Sequence, residues 1–444
     1  MHCHNKMKAL SFLSVKLLLV LLILNITTLY SQTKHLEVLL KSNGKELVTD
    51  SIQSAIDKCA NVGGGVVHLS EGVYLSGTLE LKNDVVLQLD KGSVLRGSDK
   101  YENYKNDAFI YGKDLSHFAI QGKGIIDGVD CYNPVGEEGF RGPHCIRLIN
   151  CNHFAFKGFT IVNSANWAIN CRYCSYASVD SISIRGGHDG LHTRFCDNFR
   201  VNGCDFRTGD DAFAGNDNHD FVVTNCNVNT SCNGFRIGCL NFKVNHCRLW
   251  GPGEYVHKSQ KRNNMLSAFV HFSPKDENPE LNSGNWLIQD ITVENVDHFY
   301  MYNYENGLWQ TGQPVSTIRF VEIKAKGLLN AFYIRGDTMR NFNLYISNSS
   351  FSFREGTEQN SGIFEGVNLF TTSFFSATNF NKIELKEMTL EKKEICPVLN
   401  CSTGNSIFLK KVEFKTGNSS IPYLLEKITE VRKEDMKLNS LIIN

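Results

Sequence analysis

The sequence predicts an all-β protein, a right-handed parallel β-helix (a solenoid) whose first coil is covered by an N-terminal helix. Two observations favour this fold class. Short segments of alternating apolar and polar residues recur at a nearly constant interval, and Asn and Gly stand between them. A repeat this short cannot bury its own apolar side, so successive repeats must stack around one continuous core.

Five segments carry the repeat. Their aligned sixth residues are Phe159, Ile182, Cys204, Cys226 and Cys247, at steps of 23, 22, 22 and 21. Equivalent residues of stacked strands lie about 4.8 Å apart. Cysteine that shares a column with Phe and Ile is interpreted as a small buried hydrophobe. One or more disulfides among the 15 cysteines are the alternative.

The segment 50–65 predicts the covering helix. Asp50 and Gln53 are interpreted as a capping box, and Gly63–Gly65 end the helix. One apolar stripe is formed by Ile52, Ala55, Ile56, Cys59 and Ala60. We expect this stripe to pack on the first coil.

Three parts of the chain are distinguished. Residues 1–31 are predicted to be a secretory signal peptide, since a short basic region precedes an apolar run; an uncleaved anchor is the alternative. Residues 32–420 are predicted to form one β-helix domain, and residues 421–444 a charged C-terminal tail. No other stretch of the sequence is long and apolar enough to span a bilayer. We expect a monomer that is periplasmic or secreted.

The bulk charge of the chain gives no support for a nucleic-acid partner. Lys plus Arg equal Asp plus Glu, 46 against 46, so net charge does not favour binding of nucleic acid.

Three aspartates stand out in the repeat. "GHDG" contains Asp189, and "TGDD" contains Asp210 and Asp211, which begin 21 positions later, about one coil further on. Two charges about 4 Å apart repel by about 4 kcal/mol at an effective dielectric constant near 20. That repulsion is enough to keep one carboxyl protonated beside ionised neighbours, as glycoside hydrolysis requires. A calcium site and ordinary turn chemistry are the alternatives.

Strand alternation adds two candidates. Leu191, Phe213 and Phe235 recur at steps of 22 and are predicted to point inward. His192 and Arg236 each follow one of these residues, so they face outward beside the carboxylates. We predict both as substrate contacts.

Residues 45–300 resemble glycoside hydrolase family 28, the polygalacturonase-like enzymes, and related pectin-active β-helix enzymes. The resemblance is carried by "IQSAIDKCANVGGGVVHLSEGVYLSGTLELKNDVVLQLDKGSVLRGS", "GKGIIDG", "NSANWAIN" and the spacing of Asp-Gly and Gly-Asp-Asp. It implies that Asp210 protonates the leaving oxygen and that Asp189 and Asp211 activate a water. It also implies that hydrolysis inverts the configuration at the anomeric carbon. It implies no organic cofactor and requires no metal.

The substrate-binding motifs of that family are altered here. Its Asn-Thr-Asp is "GHD", with His188, and its Gly-His-Gly is "CNG", with Asn233. Its Arg-Ile-Lys strand aligns with "AFVHFSP", where Phe269 and His271 replace the two cations. These changes keep the acid and base but remove much of the set that binds an anionic sugar. We predict His188, Asn233 and His271 as substrate contacts.

The inserted segment "YVHKSQKRNN" contains Lys258, Lys261 and Arg262, which could rebuild an anion site. Arg262 is therefore a further predicted substrate contact, and a solvated loop is the alternative. Insertions such as 251–285 favour exo action, because they often wall off one end of a β-helix groove.

The segment 298–314 concentrates aromatic side chains, which could stack on sugar rings or pack on the solenoid. They include Tyr302, Tyr304 and Trp309, and Glu305 lies among them.

Together these features predict an exported glycoside hydrolase that cleaves a pectin-type or other acidic polysaccharide or oligosaccharide. One alternative is a polysaccharide lyase on the same fold, with Arg236 or Lys258 as its base. The other is a non-catalytic glycan-binding β-helix, since a fold alone does not establish an activity.

Overall fold

A computed structural model describes residues 36–272, 283–304, 313–355, 373, 375–393, 398–417 and 423–443. These residues form 33 strands, one α-helix and two single turns of 3₁₀-helix. The strands of each coil pair in parallel with those of the coils before and after it. The architecture is therefore a stack of coils rather than a sandwich or an open sheet.

The strands of the first half are β1 (Leu36–Leu40), β2 (Asn43–Leu47), β3 (Gly65–Leu69), β4 (Gly72–Ser76), β5 (Leu79–Glu80), β6 (Val85–Leu89), β7 (Ser93–Gly97), β8 (Ala108–Lys113), β9 (Ser116–Gly122), β10 (Ile125–Asp127), β11 (His144–Ile149), β12 (Asn152–Lys157), β13 (Thr160–Val162), β14 (Ile169–Arg172), β15 (Ser175–Asp180), β16 (Ser183–Gly186), β17 (Leu191–Arg194), β18 (Asp197–Asn202) and β19 (Asp205–Thr208). Those of the second half are β20 (Phe213–Thr224), β21 (Asn227–Thr230), β22 (Asn233–Trp250), β23 (Met265–His271), β24 (Trp286–Glu294), β25 (Val296–Asn303), β26 (Thr317–Leu328), β27 (Asn330–Arg335), β28 (Phe342–Phe353), β29 (Phe375–Lys392), β30 (Leu399–Thr416), β31 (Tyr423–Glu434), β32 (Met436–Leu438) and β33 (Leu441–Ile443). The α-helix α1 spans Thr49–Asn61, and the 3₁₀ turns span Tyr101–Asn103 and Glu137–Gly139.

Three parallel ladders form the sides of the coils. The first ladder contains β3, β6, β9, β12, β15 and β18. The second contains β4, β7, β10, β13, β16 and β19. The third contains β5, β8, β11, β14, β17 and the start of β20. The predicted parallel β-helix is confirmed.

Stacked aromatic rings fill the interior beneath the third ladder. The ring of Phe213 stacks on Phe235 at 4.5 Å, and Phe235 stacks on Phe269 at 5.1 Å. Leu191 is in register with Phe213, as the steps of 22 predicted. Each buried ring stabilises the fold by about 1.5–3 kcal/mol, so this column fixes the register of the strands that carry the carboxylates.

The described cysteines are buried and unpaired. They are Cys59, Cys131, Cys145, Cys151, Cys171, Cys174, Cys196, Cys204, Cys226, Cys232, Cys239, Cys247 and Cys401. Their interpretation as small buried hydrophobes is confirmed for these positions. Cys3 and Cys396 lie outside the described residues.

Helix α1 covers the first coil, and four residues of the predicted stripe are buried, namely Ile52, Ala55, Ile56 and Cys59. The predicted capping box is wrong, because Asp50 lies inside the helix and no side chain caps its N-terminus. Gln53 instead accepts from the Glu80 N–H at 2.8 Å and donates to the Glu80 carbonyl at 3.1 Å. A partner on the third ladder has replaced the local one. In the described part of the chain no helix has the length and apolar character needed to cross a membrane.

The segment assigned to a C-terminal tail continues the stack. β31 pairs in parallel with β30 along Tyr423–Glu434, and β32 and β33 then form an antiparallel pair. Charged side chains along an edge strand oppose further pairing, which is why this segment has the composition of a tail. Residues 1–31, the predicted signal peptide, lie outside the described residues.

Candidate active site

Three carboxylates meet where the second ladder turns into the third. Asp189 lies between β16 and β17, and Asp210 and Asp211 lie between β19 and β20, one coil further on. Backbone hydrogen bonds of 2.9 Å join these turns and place Asp189, Asp211 and Asn233 at equivalent positions of successive coils. The nearest carboxylate oxygens of the three aspartates lie within 4.8 Å of one another. The structure thus brings together the three predicted catalytic carboxylates.

Asp211 is held from two sides. The Asn233 amide donates to its Oδ1 at 2.7 Å, and the Arg236 guanidinium donates to its Oδ2. Ser267 in turn donates to the side-chain oxygen Oδ1 of Asn233 at 2.5 Å. The Arg236 guanidinium lies 3.9 Å from the centroid of the Phe272 ring. Both oxygens of Asp211 accept hydrogen bonds, so its orientation is fixed before a ligand arrives.

Asp189 is held by His192. The Nδ1 of His192 lies 2.8 Å from Asp189 Oδ2, while its Nε2 accepts from Arg194 Nε at 3.2 Å. These partners require the tautomer with the proton on Nδ1. Burial lowers the pKa of His192 well below its ordinary value, and the charge of Arg194 lowers it further. The neutral ring stacks on Trp167 at 3.6 Å, with 8° between the planes.

Asp210 is flanked by two donors from distant segments. Arg141 Nη2 lies 3.6 Å from its Oδ2, and His257 Nε2 lies 3.5 Å from its Oδ1. The Nδ1 of His257 accepts the Gln260 N–H at 3.1 Å, so the ring proton is on Nε2 and faces Asp210.

The pKa values of Asp189 and Asp210 are shifted in opposite directions. The predicted acid, Asp210, is the one with the lowered pKa. Burial raises the pKa of Asp189 well above its ordinary value, and the charges of Asp210 and Asp211 raise it further. Burial also raises the pKa of Asp210, but the hydrogen bond from His257 and the charge of Arg141 outweigh burial and lower it. Of these two carboxyl groups, Asp189 therefore has the higher proton affinity in the unliganded site. The two donors, Arg141 and His257, are not among the residues that the sequence predicted for the site.

These side chains line a pocket of about 310 Å³, at the lower end of the size range of small-molecule sites. Its walls are formed by Glu137, Glu138, Arg141, Trp167, Asp189, His192, Arg194, Asp210, Asp211, Cys232, Asn233, Arg236, His257, Ser259, Gln260 and Phe272. Of the predicted substrate contacts, His192, Asn233 and Arg236 line this pocket.

The inserted segment closes one side of the pocket. Lys258 forms an ion pair with Asp130, and Ser259 donates to Glu138 Oε2 at 2.7 Å. The stem of Lys258 packs on Gly187, where a Cβ would lie 2.5 Å from Lys258 Cε. A side chain at position 187 would have to displace the Lys258 stem, and the insertion is joined to segment 130–141.

Two predicted substrate contacts, His188 and His271, do not line this pocket. His271 is fully buried, because it is in register with inward-facing Ile237; its ring lies against Tyr302 at 5.0 Å. His188 is buried beneath Phe140, with 5.9 Å between the ring centroids. Burial lowers the pKa of His188 to about 3, and Arg141 contributes to that shift. Neither histidine is among the described residues that line the pocket.

The predicted anion site in the insertion is also not formed by the described residues. Arg262 donates to the carbonyl oxygens of Ser231 and Asn264, the latter at 3.1 Å. It therefore fastens the insertion to the solenoid, whereas Lys261 is exposed.

Of the predicted aromatic subsite, Tyr302 and Tyr304 do not line the pocket. Tyr302 is buried in the core, and Tyr304 accepts from Arg340 Nη2 at 3.0 Å. Trp309 and Glu305 lie outside the described residues. The aromatic walls of the pocket are Trp167 and Phe272 instead.

Three functional side chains were missed. Trp167 lies in "NSANWAIN", one of the segments that resemble family 28, and His257 lies in the inserted segment "YVHKSQKRNN". Their positions in these segments could therefore have identified both. Arg141 had none, because its segment comes to the pocket from two coils away.

The spacing of the aspartates would also suit a cation, as the calcium alternative requires. The surrounding donors argue against it. Arg236 and Asn233 already occupy both oxygens of Asp211, and the guanidinium of Arg141 lies beside Asp210. A divalent cation would have to displace the donors that already occupy these oxygens.

The fold and the site define a class of protein, a parallel β-helix with a partly enclosed pocket lined by carboxylates. Residues 59–246 match the family model described as Glycosyl hydrolases family 28. The predicted resemblance to that family is confirmed over this segment, which contains all three aspartates.

Two curated relatives match shorter stretches. The chain is 35% identical over 109 residues to Exo-poly-alpha-D-galacturonosidase of Dickeya chrysanthemi, with 20% of this chain and 18% of that protein covered. It is 29% identical over 144 residues to Probable rhamnogalacturonase B of Aspergillus terreus, with 31% and 26% covered. The matched stretches thus span about a quarter or less of these relatives' length.

Among solved structures, the Family 28 Exopolygalacturonase of Yersinia enterocolitica superposes with a TM-score of 0.57 at 16% identity, covering 90% of this chain and 78% of that chain. This likeness supports the β-helix fold.

Proposed function

We propose that the protein is an exported glycoside hydrolase that acts on a pectin-type or other acidic polysaccharide or oligosaccharide and inverts the anomeric centre. One observation carries the proposal: three carboxylates lie within 4.8 Å of one another at a pocket, within the segment that matches family 28. The names of the curated relatives support a pectic substrate.

Asp210 is the proposed general acid. Its side chain is 16% exposed, against 3% for Asp189 and 1% for Asp211. An acid must reach the leaving oxygen, and Asp210 reaches furthest into the pocket. Its proton passes to the glycosidic oxygen as the bond between that oxygen and the anomeric carbon breaks.

Asp189 and Asp211 are proposed to orient the attacking water. A water that donates two hydrogen bonds of about 2.7–2.8 Å at a near-tetrahedral angle bridges oxygens about 4.5 Å apart, which is compatible with their separation of at most 4.8 Å. The water oxygen bonds to the anomeric carbon, and its proton passes to one of these carboxylates.

The reactive form requires the shared proton on Asp210 rather than on Asp189. A bound sugar removes water from Asp210, and loss of solvent raises the pKa of a carboxyl group. The oxygens of the two residues lie within 4.8 Å, so one water can carry the proton between them.

Inversion rests on the resemblance to family 28. The nearest oxygens, within 4.8 Å, lie closer than the span of about 6.5–9.5 Å that is typical between the carboxyl groups of inverting enzymes. Proton NMR of the first-formed anomer decides this part of the proposal: an unchanged anomeric configuration would overturn it and leave hydrolysis intact.

Exo action is proposed from the inserted segment, whose links to Asp130 and Glu138 wall one side of the pocket. Monosaccharide as the sole early product supports exo action, and a ladder of oligosaccharides contradicts it.

A lyase is disfavoured by the state of its candidate bases. Burial would lower the pKa of Arg236, but the charges of Asp211, Asp189 and Asp210 raise it above its ordinary value. Lys258 is paired with Asp130 and does not line the pocket. A lyase product would absorb in the ultraviolet, so the same assay separates the two reactions.

The test compares wild type with Asp210→Asn on pectic, rhamnogalacturonan and algal glycans, with products separated by chromatography. Asp205→Asn is the matched control, since Asp205 lies five positions away, is 22% exposed and pairs with Arg185 at 2.8 Å outside the pocket. We expect saturated sugars from wild type and the control, and at least a 1,000-fold loss in Asp210→Asn. Equal release by all three proteins, or release by none, rejects the proposal.

A second comparison assigns the roles. Substrates with a good leaving group need no proton donor, so Asp210→Asn should cleave an activated aryl glycoside far better than a natural glycan. Asp189→Asn should fail on both. The reverse pattern would make Asp189 the acid.

A further inference from the structure

We propose that the sugar residue held in this pocket is neutral, even where the glycan that carries it is acidic. The inference rests on the proposed function and specifies its substrate. It follows from the charges of the pocket, from the partners of its cations and from the fate of the basic insertion.

The pocket wall carries more negative than positive groups. Five carboxyl groups line it, from Glu137, Glu138, Asp189, Asp210 and Asp211, against three guanidinium groups, from Arg141, Arg194 and Arg236. Even with the proton on Asp189, four carboxylates face three cations. A uronate carboxylate would enter a site that already has an excess of its own charge.

Arg141 and Arg236 are engaged with carboxylates of the same wall. Arg141 donates to Glu138 Oε2 at 2.9 Å and lies beside Asp210. Arg236 donates to Asp211 and lies over the Phe272 ring. Recruiting either guanidinium to a uronate would weaken its hold on a carboxylate that the reaction needs.

Arg194, the third guanidinium group, contacts His192 and Trp167. Its Nε donates to His192 Nε2 at 3.2 Å, and its guanidinium lies 5.6 Å from the centroid of the Trp167 ring. It therefore supports the histidine that holds Asp189.

The insertion does not supply a replacement from the residues that the structure describes. Lys258 reaches Asp130, and Arg262 reaches backbone carbonyl oxygens. Neither cation is among the residues that line the pocket, and Arg262 is engaged with protein groups that include Gln260.

The remaining wall suits a neutral sugar. Asn233, Ser259 and Gln260 offer neutral polar groups, while Trp167 and Phe272 add apolar surface. Hydroxyl groups can donate to the surrounding carboxylates, whereas a second carboxylate cannot. Like-charge contact in a confined site costs several kcal/mol, so discrimination of about 100-fold or more against a uronic acid is expected.

Binding of free sugars tests the inference without requiring turnover. Galactose, rhamnose and galacturonic acid are titrated into the full-length mature protein at pH 7 and observed by saturation-transfer NMR and calorimetry. We expect at least one neutral sugar to bind and the uronic acid to bind about 100-fold more weakly. Tighter binding of the uronic acid, or no binding of either neutral sugar, overturns the inference.

Turnover provides the second arm. Aryl glycosides that differ only in the terminal sugar are compared by kcat/KM. Faster cleavage of the galacturonide than of every neutral glycoside overturns the inference and leaves the hydrolase proposal standing. Cleavage of none, with neutral sugars still bound, rejects the hydrolase proposal and leaves the neutral pocket standing.

A pair of variants of similar size that differ in charge tests whether the charge of the pocket wall causes the preference. Gln260→Lys adds a cation to the pocket, and Gln260→Met removes the same amide without adding charge; both lose the 2.6 Å bond from Arg262. We expect the ratio of galacturonide to neutral-glycoside kcat/KM to rise about 10-fold in Gln260→Lys relative to Gln260→Met. An unchanged ratio contradicts the electrostatic account.

Discussion

His257 Nε2 lies 3.5 Å from Asp210 Oδ1, although the two residues belong to different coils and His257 comes from an inserted segment. The resemblance to family 28 places a histidine at position 233, where this chain has Asn233. Asn233 holds Asp211 at 2.7 Å, and the imidazole beside Asp210 is supplied by the insertion. The chain has thus altered a motif and placed an imidazole near the proposed acid by another route.

Removal of His257 is expected to raise the pKa of Asp210. The hydrogen bond from His257 lowers that pKa against the effect of burial, together with the charge of Arg141. In His257→Leu the basic limb of kcat/KM against pH should move to higher pH, because a proposed acid with a higher pKa keeps its proton longer. We expect kcat to fall about 10–100-fold, since proton transfer contributes about 100–10,000-fold to catalysis.

The control is His257→Gln, which keeps an amide N–H donor towards Asp210. Its basic limb should lie between those of wild type and His257→Leu. Superimposable pH profiles for all three proteins would contradict a link between His257 and Asp210.

His192 is expected to act as a positioning residue for Asp189, through the 2.8 Å bond from its Nδ1. His192→Leu should lower kcat about 100-fold with little change in KM, because the water-orienting carboxylate loses its fixed direction. His192→Asn retains an N–H donor at a similar distance from the backbone and should recover part of kcat. His153→Ala, at an exposed stacked ring, is the control. Equal losses in the Leu and Asn variants would indicate general damage to the pocket.

The cluster of Asp189, Asp210 and Asp211 is expected to lower the free energy of unfolding at neutral pH. Asp189 has a raised pKa in the folded state, caused by burial and then by Asp210 and Asp211. Its destabilising contribution is therefore absent below the unfolded-state pKa of about 3.9 and grows as pH rises towards the raised value. Asp189→Asn should stabilise the fold by about 1 kcal/mol at pH 7, with the gain fading as pH falls to 4.

Asn233→Asp is the opposite change at the equivalent position of the next coil. It replaces the amide that donates to Asp211 at 2.7 Å with a fourth carboxylate of the cluster. We expect a loss of about 3 kcal/mol or more at pH 7, partly recovered in acid. Scanning calorimetry from pH 4 to 8 measures both variants. A Tm difference from wild type that is constant with pH in either variant would contradict the electrostatic explanation.

The outward geometry of the ladders was predictable because it depends on a regular interval. Phe213 and Phe235 identify the inward column, and strand alternation then orients Arg236. His271 was assigned to the wrong side because its strand follows a long insertion, where spacing no longer gives register. Arg141 was not predictable, because the bend that brings it to Asp210 depends on loop packing and has no period.

The cysteine columns predict that the fold does not depend on disulfides. The described thiols are buried and free, and burial raises the pKa of Cys171, Cys239 and Cys401, which makes them poor nucleophiles. In protein from residue 32 onward that carries Cys396→Ser, we expect less than one thiol per chain to react with Ellman's reagent before unfolding, and all to react in guanidinium. Dithiothreitol should leave the Tm within about 1 °C, whereas loss of a native disulfide typically costs about 2–5 kcal/mol. A larger fall in Tm on reduction would show that a bridge contributes to stability, and the columns would then have a covalent role besides packing.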